Sequence, residues 1–156
     1  MKEIQLTQGK VALVDDEDYE YLNQWKWHVS NGNYARRTIY NFKLCKALFM
    51  HREIMKVSKG LLVDHINGNS LDNRKLNLRI CTNSQNLRNR LKNINNTSGY
   101  KGVRLINSTK KWRAQIWLNS KYYHLGLFNN IKDAARAYNA AAIKYHGEFA
   151  NLNKID

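Results

Sequence analysis

Between Leu61 and Arg90 the chain reads LLVDHINGNSLDNRKLNLRICTNSQNLRNR, and no other stretch narrows the fold as much. Asn67-Gly68-Asn69 is turn chemistry, because these residues tolerate left-handed backbone or bond their own main chain. It separates the apolar run Leu61 to Ile66, which predicts a strand, from Leu76, Leu78 and Ile80. These three alternate with Asn77 and Arg79 and predict a returning strand. Thr82 and Gln85 then match a capping box: the hydroxyl oxygen accepts from the helix start and the glutamine reaches back to the cap. A helix beginning there carries Asn86 about one turn inside it. The order strand, loop, strand, helix lets a carboxylate (Asp64), an imidazole (His65) and two amides (Asn77, Asn86) converge within one small motif. Neighbours on a regular strand face opposite ways, so Asp64 and His65 share a site only where the backbone departs from ideal geometry.

The flanking segments are mixed. Val11 to Val14 predicts a strand, and Asp15-Asp16 offer a cap for a helix over Glu17 to Leu22. Trp25, Trp27 and Val29 alternate with polar residues, Asn31-Gly32 marks a turn, and Tyr34 to Tyr40 predicts the return strand. Leu48 to Met50 predicts another strand, leading through His51-Arg52 into a helix near Glu53 to Val57. A lone His-Arg pair reads as structural rather than functional. Arg74, Arg79 and Arg88 are candidate phosphate contacts. Asn89 to Ser98 is polar and predicts a linker over 93–98. Beyond it, Tyr100 to Leu105, Trp112 to Leu118 and Tyr122 to Phe128 predict three strands. Asn130 is a cap for a helix that runs to His146, with Gly147 just past its end and Ala134, Ala137, Tyr138, Ala141 and Tyr145 on its apolar face. Trp112, Ala114 and Ile116 face one side of the middle strand, and Arg113, Gln115 and Trp117 the other.

Composition bears on partners. A formal charge of +14 over 156 residues favours a polyanion. The excess is spread: residues 1–60 carry ten basic and seven acidic side chains, 61–98 six and two, and 99–156 ten and three. Folded basic surfaces fit this better than a basic tail. The only cysteines, Cys45 and Cys81, have no CxxC spacing, which argues against a zinc finger or a disulfide framework and predicts two buried free thiols. No stretch reads as a signal peptide or a membrane span, so a cytoplasmic protein of a phage or bacterial host is expected.

Residues 48–90, through VDHINGN, LDNRKLNLR and QNLRN, resemble the HNH (His-Me finger) nucleases, especially small phage and intron homing endonucleases. The resemblance implies an α+β chain that opens with a ββα-metal nuclease domain over 1–92. His65 is then the general base, Asn77 fixes its tautomer, and Asp64 and Asn86 are hard oxygen ligands for one Mg²⁺, with Mn²⁺ as a substitute. Asn89 is an alternative to Asn86. It also implies that the backbone lets Asp64 and His65 meet. Residues 99–156, through YKGVR, WRAQIWL, YYHLGLF and AARAYNAAAIKYHGEFANLN, resemble the AP2/ERF DNA-binding domain. That family lays a three-stranded antiparallel sheet, packed on one helix, in the major groove. The positions carried over are Lys101, Arg104, Arg113, Gln115, Trp117, Tyr122 and His124. Plant members carry more arginine on this face, so their target sequence does not transfer. Together the two resemblances imply a sequence-directed endonuclease acting on double-stranded DNA as a monomer or homodimer. The alternative reading is a non-catalytic DNA-binding regulator on a vestigial nuclease fold. An RNA-binding module is disfavoured, since no RRM or KH signature is present.

Overall fold

The computed structural model describes residues 1–41 and 44–156. It divides into two compact units, Met1–Asn86 and Leu87–Asp156. In the first, β1 (Lys2–Gln5) pairs antiparallel with β2 (Val11–Val14), and α1 (Asp16–Leu22) follows. An antiparallel sheet of β3 (His28–Val29), β4 (Ala35–Asn41) and β5 (Leu44–Phe49) leads into α2 (Met50–Met55). A two-stranded ribbon, β6 (Leu62–His65) with β7 (Leu78–Cys81), then precedes α3 (Asn83–Asn89). Ile4, Leu6, Ala12, Val14, Leu22, Trp27, Ala35 and Met50 form the core. Trp27 satisfies its buried indole N–H on the Leu22 carbonyl at 2.8 Å, so the largest core side chain carries no polar penalty.

Several sequence expectations shift here. Strand β1 was not predicted, because its four residues are too polar to signal a strand alone; Ile4 is its one buried side chain. Asp15 stands at the cap position of α1 but makes no cap bond; its carboxylate accepts from the Lys75 N–H at 2.7 Å instead. Met50 and His51 open α2 rather than ending a strand. The alternation through Leu76, Leu78 and Ile80 breaks down. A 3-10 turn over Lys75–Asn77 replaces the start of the strand and leaves Leu76 exposed; within β7, Leu78 is buried and Ile80 exposed. Cys81 is a buried free thiol as expected, but Cys45 is exposed on β5.

In the second unit, β8 (Val103–Ile106), β9 (Lys111–Leu118) and β10 (Lys121–Phe128) form an antiparallel sheet with β9 central. Helix α4 (Ile131–His146) packs on it. Asn130 caps α4 by accepting from the Lys132 N–H at 2.8 Å, and Gly147 ends it at positive φ. Ala134, Ala135, Ala141 and Ala142 let the helix approach the sheet closely around Tyr138; Ala142 and His146 are buried, and Tyr145, expected inside, is exposed. The unit begins inside α3, ahead of the linker expected at 93–98. Within that expected linker, Asn96 and Ser98 bond the Tyr100 carbonyl at 2.9 Å each. Among the described residues no helix is long and apolar enough to cross a membrane.

Gly102 shows how tight this packing is. At φ 74° an added Cβ would lie 2.1 Å from the Tyr138 ring and 2.6 Å from the Gln115 carbonyl oxygen. Gly102→Ala is expected to destabilise residues 87–156 by about 2–4 kcal/mol, summing overpacking and left-handed strain. Denaturant unfolding followed by the fluorescence of Trp112 and Trp117 measures this, and an unchanged midpoint contradicts it.

Candidate functional site

The β6–β7 connection is a polar loop pulled into the interior. Asp72 and Asn73 are 2% and 0% exposed. The Asp72 carboxylate takes two hydrogen bonds from Arg74, at 2.7 and 2.6 Å, and one from the Asn67 amide at 2.9 Å. These bonds hold its pKa below the ordinary carboxylate value, Arg74 first among the causes. Asn77 closes the loop: its carbonyl oxygen accepts from the Asn67 N–H at 3.0 Å, and its amide donates to the Asp72 carbonyl at 2.8 Å. Leu13 stitches the loop to β2 through its N–H to Leu71 and its carbonyl from Asn73.

This network positions His65, the last residue of β6. Its Nε2 lies 3.4 Å from Asn73 Oδ1, and an acceptor there favours the tautomer protonated at Nε2. The side-chain amide of Asn77, expected in that role, bonds Asn67 and Asp72 in the loop, while Asn73, which sequence reasoning did not single out, meets the ring. The missed signal was the DN pair in SLDNRKLN: two polar residues beside Leu71, which packs against the core. The imidazole sits among rings, 5.2 Å from His51 nearly edge-on and 5.8 Å from Tyr34, with Phe49 stacked on His51 at 5.6 Å. Burial lowers the His65 pKa below 6.5, opposed by the Asn73 hydrogen bond and by the charges of Asp64 and Asp72. The ring is therefore neutral near pH 7 and able to take a proton.

Asp64 pairs with Arg79, its cross-strand neighbour, through bonds of 2.8 and 2.6 Å to Oδ2. Arg79, a candidate phosphate contact by sequence, is thus spent on Asp64, and Arg74 on Asp72. The β6–β7 register runs unbroken from Leu62↔Cys81 to His65↔Leu78. Both side chains are buried, and the Asp64 charge reaches the His65 ring. Thr82 and Gln85 form the expected capping box: the Thr82 N–H donates to Gln85 Oε1 at 2.8 Å and the Gln85 N–H to Thr82 Oγ1 at 3.3 Å. Asn86, half-buried on α3, makes no side-chain hydrogen bond among the described residues. Asp64 and Asn86 offer a carboxylate and an amide oxygen, the hard donors that Mg²⁺ prefers. Among the described residues no three His, Cys, Asp or Glu side chains gather as a metal cage.

In the second unit the register puts Arg104 opposite Arg113, Gln115 opposite His124 and Trp117 opposite Tyr122. By pleat these six share the face turned away from α4. The Trp117 and Tyr122 rings meet at 4.3 Å and both are exposed. Lys101 does not join them: its ammonium donates to the carbonyls of Arg88 and Arg90 at 2.6 Å each.

Comparison with known proteins finds two families along the chain. Residues 56–88 match the HNH endonuclease family, and residues 98–148 match the AP2 domain. An uncharacterised HNH endonuclease of Acanthamoeba polyphaga mimivirus is 31% identical over 154 residues, covering 95% of this chain and 77% of that protein. Protein 3.8 of Escherichia phage T7 is 30% identical over 96 residues, covering 62% of this chain and 78% of its own length. APETALA2-like protein 2 of Oryza sativa subsp. indica is 42% identical over 57 residues, 36% of this chain and 13% of that protein. The chain belongs to the HNH endonuclease family and carries an AP2 domain.

The ring cluster makes the first unit acid-sensitive. Burial, with the nearby His65 and Arg52 charges, lowers the His51 pKa from 6.5 to about 3. The unfolded chain takes up this proton below about pH 6.5 and the folded chain does not, so stability present above that pH is lost as pH falls toward about 3, by at most about 1.4 kcal/mol per unit. His51→Phe removes the term. Denaturant titrations at about pH 6 and about pH 4.5 are expected to show a smaller loss in the variant than in the parent, and equal losses contradict the assignment.

Proposed function

We propose that the chain is a metal-dependent, sequence-directed DNA endonuclease of the homing type, and that its first unit supplies a ββα-metal site. The observation that carries this reading is His65: a buried imidazole, kept neutral near pH 7 and oriented by Asn73. In the reaction, His65 takes the proton of the attacking water, and the nearby Asp64 and Asp72 carboxylates stabilise the imidazolium that results. Asp64 and the Asn86 amide oxygen would hold one Mg²⁺, with Mn²⁺ as a substitute; a bound cation supplies charge neutralisation on the phosphoryl oxygens and at the departing 3′ oxygen. Asn77 holds the loop that presents His65, and so acts on the base through Asp72 and Asn73 rather than directly.

The sheet of the second unit brings double-stranded DNA to the site. Arg104, Arg113, Gln115, Trp117, Tyr122 and His124 would lie in the major groove, where Arg104 suits guanine and Gln115 adenine. Tethering the two functions in one chain raises the effective concentration of the nuclease at its target. One observation favours the non-catalytic alternative: Arg79 occupies Asp64 Oδ2 with two hydrogen bonds, which cleavage requires it to share with the cation.

On a target duplex with Mg²⁺, His65→Ala is expected to lower the single-turnover cleavage rate by roughly 10²–10⁴ while leaving DNA affinity nearly intact. A variant that cuts as fast as the parent removes His65 from the base role. Arg113→Ala is expected to weaken binding and to reduce the slope of log affinity against log salt by about one. Unchanged salt dependence contradicts the groove placement.

A further inference from the structure

Helix α3 carries Asn86 and runs from the first compact unit into the second. Seven residues are too few for a helix to persist alone, and its last carbonyls have no partners within it. At its start the Thr82–Gln85 capping box holds it. At its end three consecutive carbonyls are captured by the side chains of Lys101 and Asn151. Lys101 Nζ donates to those of Arg88 and Arg90 at 2.6 Å each, and the Asn151 amide donates to that of Asn89 at 3.0 Å.

Lys101 is itself fixed from behind. Its N–H donates to Asn153 Oδ1 at 2.7 Å, and its carbonyl accepts from the Asn153 amide at 3.1 Å. Asn153 exchanges a second reciprocal pair with Asn139 of α4, at 2.8 and 2.9 Å. A continuous chain of hydrogen bonds thus runs from α4 through Asn153 and Lys101 to the end of α3. A cation at that end also meets the negative pole of the helix. A lysine placed for DNA would keep its ammonium at the surface. This one is drawn inward, and burial lowers its pKa to about 8.

We propose that Lys101 and Asn151 are positioning residues for cleavage: by gripping the end of α3 they fix the helix that presents Asn86. Lys101 and Asn151 then complete the rigidity of a ligand one turn upstream of the carbonyls they hold. This rests on the assignment of Asn86 as a cation ligand in the proposed function.

The test uses the full chain, supercoiled plasmid and Mg²⁺. In Lys101→Met, amide exchange at Leu87–Arg90 is expected to accelerate about ten-fold or more in metal-free protein, while β9 and α4 keep parental protection. The Mg²⁺ concentration for half-maximal nicking is expected to rise about ten-fold, with DNA affinity in chelator within about three-fold of the parent. Lys101→Arg, which retains several donors, is expected to recover both readouts. Asn151→Ala, which removes a single bond, gives the same changes in smaller measure and serves if Lys101→Met does not fold. Faster exchange with an unchanged Mg²⁺ requirement overturns the proposal, leaving only a helix cap. Unchanged exchange with weaker binding and a salt slope lower by about one overturns it too, making Lys101 a phosphate contact. A parent chain that never nicks with Mg²⁺ defeats the nuclease reading itself and the proposal with it, whereas an active Lys101→Met with parental Mg²⁺ dependence defeats the proposal alone.

Discussion

Burial of the Asp72–Asn73 pair is the constraint on which the first unit depends. A carboxylate and an amide taken out of water are costly unless every polar atom finds a partner. Here Arg74, Asn67 and Asn77 supply the partners around Asp72, and Leu13 and Leu71 those around Asn73. That satisfaction turns a twelve-residue connection between His65 and Leu78 into a rigid part of the site. Removing one member would leave the others buried without partners, so the network stands or falls as a unit. The His65 imidazole meets it through Asn73.

The two ends of the chain solve different problems. The first unit buries polar groups to hold one imidazole still and neutral. The second uses alanine to press a helix onto a sheet, leaving the far face of that sheet to polar and aromatic side chains. Helix α3 belongs to both. Its start carries the Thr82–Gln85 box and its end is held by Lys101 and Asn151, and the compact boundary lies at Asn86–Leu87. Sequence placed a boundary later, at a polar stretch, because composition registers loop chemistry and not which carbonyls a distant lysine captures.

Local signals were legible where local chemistry decides. Turn residues at 67–69, the Thr82–Gln85 box and the Asn130 and Gly147 caps act within four residues, and the structure uses each of them. What sequence missed depends on long-range partners. Asn73, not Asn77, meets the His65 ring, since which amide faces the ring depends on how the loop folds back. Arg79 and Arg74 are absorbed by carboxylates that a list of basic residues cannot pair. Tyr145 gave way to Ala142 and His146 because the true helix face is rotated from the one that alanine spacing suggested. Lys101 matched a family position, but its ammonium meets the Arg88 and Arg90 carbonyls.

The central claim is that this chain breaks phosphodiester bonds by its own site when a divalent cation is present. Purified protein incubated with supercoiled plasmid across a Mg²⁺ titration tests it most directly. The account predicts conversion to nicked or linear DNA bearing 5′-phosphate and 3′-hydroxyl ends, and none in chelator. Plasmid that is retarded on a gel but stays supercoiled with Mg²⁺ or Mn²⁺ would contradict it, and would leave a basic DNA-binding protein on a silent nuclease fold.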